Sequence, residues 1–94
     1  MRPLAIQISP TYVFAYDNRG EIKRMRKDYD GAIVDYNKAI QLDPKDAYSW
    51  NNRGIARRDT GDKAGAIADF KKALEINPNL PSTRQSLQEL GEKP

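Results

Sequence analysis

The apolar positions of this chain recur at helical spacing and repeat after 34 residues. In residues 29–42 and 63–76 they follow the order i, i+1, i+4, i+7, i+8, which places them on one face of an α-helix. Residues 13–26 and 47–60 show a second, weaker helical pattern in which small residues alternate with aromatic ones. The pattern therefore predicts a pair of helices in each 34-residue unit, which is typical of a repeat architecture.

Two complete units can be aligned without a gap. They share twelve identities: Asn18/Asn52, Arg19/Arg53, Gly20/Gly54, Arg24/Arg58, Asp28/Asp62, Gly31/Gly65, Ala32/Ala66, Ile33/Ile67, Asp35/Asp69, Lys38/Lys72, Ala39/Ala73 and Pro44/Pro78. The segment from Ala5 to Pro10 aligns with residues 39–44 at the same spacing. We therefore expect one domain, residues 1–94, made of the tail of a preceding repeat (1–12), a first repeat (13–46), a second repeat (47–80) and a C-terminal capping helix (81–94).

Several residues mark where the helices begin and end. Asp28 and Asp62 are suitable N-caps of the second helix of each unit, and Ser82 with Gln85 suggests a capping box in the last helix. Gly61 suits a left-handed C-cap. Its counterpart is Lys27, for which the same conformation would cost about 1 kcal/mol, so we expect either local strain or a slightly different turn in the first unit.

These positions resemble the tetratricopeptide repeat family, whose 34-residue signature combines aromatic residues, glycine, alanines and proline. The signature reads Tyr16, Gly20, Ala32, Tyr36, Ala39, Pro44 in one unit and Trp50, Gly54, Ala66, Phe70, Ala73, Pro78 in the next. The resemblance implies an all-α fold, an α-solenoid of antiparallel helix-turn-helix repeats that form a short right-handed superhelix. It also implies a non-catalytic protein–protein interaction module.

Basic residues replace two of the apolar positions that the family signature leads us to expect. Arg19 and Arg53 precede the glycine, while Lys23 and Arg57 stand where a second aromatic is usual. Two interpretations remain open: the aliphatic stems cover neighbouring core, or the cations form a basic ridge that recognises acidic partners. The polar face of the second helices is expected to be solvated; it carries Asp35, Lys38, Asp69, Lys71 and Lys72.

The resemblance places the first helix of each unit along a concave surface, where a peptide or helix of a partner protein would bind. The residues expected there are Phe14, Asp17, Asn18, Glu21, Arg24, Tyr48, Asn51, Asn52, Ile55, Arg58 and Gln85. Phe14 and Tyr48 would act as anchors. Some family members bind the carboxylate tails of heat-shock chaperones. Asp17 and Glu21 argue against that ligand here, because they replace a lysine and an amide and would repel a carboxylate.

The first residues of the chain and its net charge suggest two alternative functions. Leu4, Ile6 and Ile8 cover only part of the first repeat, so self-association into a homo-oligomer through the exposed end is possible. The net charge of +3 permits nucleic-acid binding, but aromatic residues do not alternate with the arginines, so we consider it unlikely.

The amino-acid composition argues against several other classes of function. The sequence contains no histidine and no cysteine, so we expect no catalytic residues, no metal site and no cofactor. No apolar run approaches the length of a membrane span, and the first residues are too short and too polar for a secretory signal. The compartment stays open, with cytoplasm as the default.

Overall fold

The computed structural model describes residues 10–92, and all regular secondary structure in this range is α-helical. The helices are α1 (Pro10–Met25), α2 (Tyr29–Leu42), α3 (Ala47–Asp59), α4 (Lys63–Ile76) and α5 (Pro81–Glu89). Each helix packs on the next, and the array measures 53 × 29 × 18 Å. The prediction of an all-α helical repeat solenoid is confirmed. The self-association residues Leu4, Ile6 and Ile8 lie outside the described residues.

The helices begin where the capping residues predict, with one exception. An Asp28 carboxylate oxygen accepts from the Gly31 N–H at 3.0 Å, and Asp62 accepts from Gly65 at 2.9 Å. The expected capping box in α5 is wrong, because Leu80 is the residue at the cap and makes no side-chain bond. Ser82 already lies inside the first helical turn, where its hydroxyl cannot serve as the N-cap.

Glycine allows the two helices of each unit to approach closely. A Cβ placed on Gly20 would lie 2.6 Å from Tyr36 Cε1, and one on Gly54 would lie 2.7 Å from Phe70 Cε1. Both rings are completely buried. The aromatic ring of each second helix therefore packs directly on the backbone of the first helix, an arrangement that any larger residue would prevent.

A bidentate ion pair also joins the two helices of each unit. Arg19 donates from Nε and Nη2 to the two Asp35 oxygens at 2.9 and 2.7 Å, and Arg53 binds Asp69 in the same way at 2.9 and 2.8 Å. The two carboxylates are only 1% and 2% exposed, so the expectation of a solvated face is wrong for Asp35 and Asp69, whereas Lys38 and Lys71 of that face are exposed. They are buried because the arginines satisfy both oxygens, and hydrogen bonds from Arg19 hold the pKa of Asp35 below its usual range.

Lys23 and Arg57, which stand where the family usually has a second aromatic residue, bind the same two carboxylates. Lys23 Nζ lies 3.3 Å from Asp35 Oδ2, and Arg57 Nη1 lies 3.1 Å from Asp69 Oδ2. Neither interpretation of the basic positions is complete, since the aliphatic stems do not simply cover core and the charges are not a free ridge. The cations neutralise a buried carboxylate that joins the helices.

Three apolar clusters then stack the units. Ala32 and Tyr36 of α2 pack against Ala56 of α3, which joins the first repeat to the second. Ala47 packs with Ala73 and Leu80 in the second cluster. In the third, α4 packs against Leu87 of α5. The core is therefore a thin layer that runs along the array.

The turns after α1 and α3 have the same geometry despite different residues. Lys27 has a positive φ of 66°, and Gly61 has a φ of 88°. In each turn the following N–H bonds back to a carbonyl five residues earlier, from Asp28 to Lys23 and from Asp62 to Arg57. This is the Schellman arrangement, so of the two alternatives for Lys27 the structure shows the strained left-handed conformation and not a different turn.

We predict that Lys27→Gly raises the free energy of unfolding by about 0.5–1 kcal/mol, because glycine adopts a positive φ without steric cost. Urea denaturation followed by circular dichroism measures the change. The reverse substitution at the matched turn, Gly61→Lys, should lower stability by a similar amount. A decrease in the Lys27→Gly variant would contradict the prediction.

Candidate partner-binding groove

The first helices of successive units, α1, α3 and α5, are joined by hydrogen bonds between residues 32 apart. The Ser49 hydroxyl lies 3.0 and 2.9 Å from the two carboxylate oxygens of Asp17. The Thr83 hydroxyl lies 2.7 Å from the side-chain oxygen of Asn51. Ser49 and Thr83 are both buried. These bonds fix the first helices side by side, so their free faces form one continuous surface, here called the groove.

The structure divides the predicted groove residues into exposed and packed groups. Phe14 and Tyr48 are 63% and 62% exposed and occupy equivalent positions of α1 and α3. Asn18, Glu21 and Gln85 are also exposed, while Arg24, Asn51, Asn52, Ile55 and Arg58 are half-buried. Asp17 is buried. The structure therefore leaves the two aromatic side chains open to a ligand and engages several of the polar ones.

Three of the predicted residues contribute to packing between the units. Asp17 and Asn51 make the bonds to Ser49 and Thr83, and Ile55 packs against the apolar cluster that joins α4 to α5. Any contact that these side chains make with a ligand has to be compatible with these bonds.

Arg24 is held between two acids. Its Nη2 lies 3.6 Å from Glu21 in the same helix, and its Nη1 lies 3.6 Å from Asp59 in α3. Arg58 is the equivalent residue of the second unit, and among residues 10–92 it makes no ion pair. The two arginines are thus unequal, and Arg58 is the cation of the groove that remains available to an anionic group.

Asp17 has an unusual environment for a carboxylate. Burial raises its pKa to about 6, and the nearby charge of Asp46 acts in the same direction. The hydrogen bonds from Ser49 and the nearby Asn52 side chain lower the pKa of Asp17 but do not compensate. A carboxylate that is costly to ionise therefore lies at the contact between the two repeats.

The Tyr36 hydroxyl reaches the same region from the second helix. Burial raises the pKa of Tyr36 to about 12, while the positive charge of Arg24 opposes the shift. Within residues 10–92 the buried hydroxyl has no hydrogen-bond partner. Phe70 occupies the equivalent position of the second unit without a polar atom, so the ring alone is sufficient for the packing.

Three residues that organise this surface were not predicted from the sequence: Ser49, Thr83 and Asp59. The hydroxyls of Ser49 and Thr83 stand one repeat period apart, and this spacing was a signal that could have identified them. Asp59 gave no such signal. Its counterpart in the first unit is Met25, which cannot pair with an arginine, so the repeat did not reveal the contact with Arg24.

Neither a metal centre nor a membrane span is found in the part of the chain that the structure describes. No group of three or more acidic, histidine or cysteine side chains in residues 10–92 is placed to hold a metal ion. None of the helices in that range is long and apolar enough to cross a bilayer.

Comparison with known proteins places these repeats in a family. A profile described as TPR repeat matches residues 20–61, and the Tetratricopeptide repeat profile matches residues 47–80. The chain belongs to the tetratricopeptide repeat family. The resemblance found in the sequence is therefore confirmed. Comparison with curated protein sequences gives no significant match.

Solved structures of tetratricopeptide repeat proteins have the same fold. The first TPR of Spaghetti (RPAP3), bound to the HSP90 peptide SRMEEVD, is 23% identical with a TM-score of 0.77, over 93% of this chain and 75% of that one. The UNC-45 chaperone binds and folds muscle myosin. Its solved structure is 32% identical to this chain, with a TM-score of 0.78. That match covers 93% of this chain but spans only 10% of the UNC-45 chain.

We predict that Asp17→Asn stabilises the tetratricopeptide repeats by about 1–3 kcal/mol at pH 7.5 and by much less at pH 4. The raised pKa means that the native state binds the proton more tightly than the unfolded chain. Stability from this group is therefore lost as pH rises from about 4 to 6, and the cost of ionisation is fully present above that window. Asparagine removes the cost and keeps an oxygen for Ser49, as Asn51 does for Thr83.

Urea denaturation at the two pH values measures this difference. The matched control is Glu75→Gln, which removes an exposed carboxylate of α4 and should show no comparable gain at pH 7.5. An Asp17→Asn variant that is equally stabilised at both pH values, or destabilised at pH 7.5, would contradict the assignment.

Proposed function

We propose that the groove binds a peptide or short helix of a partner protein, with Phe14 and Tyr48 as its anchors. The observation that carries this proposal is the exposure of two large aromatic side chains at equivalent positions of neighbouring first helices. Tetratricopeptide repeats are typically non-catalytic interaction modules, which supports a binding function of this general kind.

Aromatic side chains favour a binding surface for a physical reason. They offer a large apolar area with few rotatable bonds, so little conformational entropy is lost when a ligand covers them. The neighbouring polar side chains, Asn18 and Gln85, are exposed and can pair with the backbone of a ligand. Arg58 adds a cation at the second unit.

The triple variant Phe14→Ser, Tyr48→Ser, Arg58→Ser tests the groove. Peptides selected from a displayed random library on the unmodified protein should lose at least about 10-fold in affinity for this variant, because the anchors and the free cation are removed. Isothermal titration calorimetry measures the affinity. Arg24 is left in place, since its contact with Asp59 joins the two repeats.

The matched control is Val34→Ser, which removes an apolar side chain of similar exposure from α2, outside the groove. It should leave peptide affinity unchanged. Equal losses in the control and the triple variant, or none in the triple variant, would place the binding site elsewhere. Circular dichroism checks that both variants stay folded.

We predict that the acidic peptide SRMEEVD does not bind this groove. Asp17 and Glu21 would repel its carboxylates. Fluorescence polarisation with the labelled peptide should show no saturable change up to about 1 mM, the range of very weak complexes. Saturable binding that is lost on Arg58→Ser would contradict the prediction and assign the groove to acidic tails.

A further inference from the structure

One side of α1 is exposed although the equivalent side of α3 is covered. This side, here called the α1 end face, consists of Ala15, Arg19 and Ile22, which lie at i, i+4 and i+7 of the helix. The Arg19 side chain is 60% exposed, whereas that of Arg53 is 15% exposed. Ile22 is 50% exposed, whereas Ala56 is completely buried.

Within the chain, α2 shows what covers such a face. Ala32 and Tyr36 of α2 pack on Ala56, and the side-chain oxygen of Asn37 accepts from Arg53 Nη1 at 2.9 Å. The covering surface is therefore a small residue, an aromatic one turn later and a hydrogen-bond acceptor directly after it.

Within residues 10–92 no helix covers the α1 end face in this way, and the face has Ala15 and Ile22 where α3 has Ser49 and Ala56. Arg19 uses Nε and Nη2 for Asp35, as Arg53 does for Asp69, and among residues 10–92 its Nη1 meets no acceptor. A pocket of about 330 Å³ opens beside it, lined by Tyr16, Arg19, Val34 and Lys38 among others. In the part of the chain that the structure describes, the same helix therefore carries an Arg19 donor without an acceptor, next to a pocket, and an exposed isoleucine.

The repeat pattern does not supply the missing surface. In the 34-residue register Arg2 stands where Tyr36 does, and Pro3 stands where Asn37 does. Neither the aromatic ring nor the side-chain acceptor has a counterpart there. A second copy of the chain is also a poor occupant, because the corresponding faces of α2 and α4 are already covered by α3 and α5.

We propose that the α1 end face docks an amphipathic helix of a partner protein whose contact surface matches that of α2. That helix presents a small residue and an aromatic residue to Ile22, and an amide or carboxylate oxygen to Arg19. The site is separate from the groove, so it would add a second contact to the protein.

The probe is a synthetic peptide of residues 28–44, stapled between positions 34 and 38, which are exposed on α2 and one turn apart. It is titrated into isotopically labelled protein, and amide chemical shifts are followed by NMR. The largest shifts should fall on Ala15, Arg19 and Ile22. Ile22→Glu should weaken binding at least about 10-fold, because it places a charge in the apolar contact.

Two controls separate this surface from the groove. Tyr48→Glu changes an aromatic side chain of the groove and should leave the affinity unchanged, and a peptide with Asn37→Leu should bind more weakly than the unmodified peptide. Shifts centred on Phe14 and Tyr48, or no shift up to about 1 mM peptide, would overturn the proposal. Shifts of the end face that depend on protein concentration alone would overturn it in favour of self-association.

Discussion

The contact of an aromatic ring with a glycine backbone is the constraint on which the architecture depends. Tyr36 lies on Gly20, and Phe70 lies on Gly54, so each second helix is held closely against its first helix. The arginine–aspartate pairs can form only at this short separation, because both carboxylate oxygens are bonded across the two helices. Apolar packing and charge neutralisation therefore support the same helix pair.

This arrangement leaves large side chains of the first helices exposed, and the proposed binding surface rests on them. The second helices supply the buried rings and the carboxylates that pair with arginines, whereas α1, α3 and α5 are aligned by hydrogen bonds between hydroxyl and carboxyl or amide groups. The Asp17 contact is the more costly of these bonds, since burial disfavours its charge, and the Asn51 contact carries no charge. The Asp17–Ser49 and Asn51–Thr83 bonds therefore occupy equivalent positions, but only the first involves a charged group.

The repeat period predicted most of the fold but only part of the candidate site. Helix pairs, aspartate caps and the strained Lys27 followed from local patterns. The burial of Asp35 and Asp69 did not, because a charged residue on a helix is usually solvated unless a partner far along the chain neutralises it. The packing role of Asp17 was missed for the same reason, since its partner Ser49 belongs to the next unit.

The most direct test of the central claim is the contact map between a library-selected peptide and the protein, measured by intermolecular nuclear Overhauser effects. If the first helices form the binding surface, the peptide protons should show effects to the rings of Phe14 and Tyr48. Effects confined to side chains of the second helices, such as Val34, would contradict the account and assign recognition to the opposite surface.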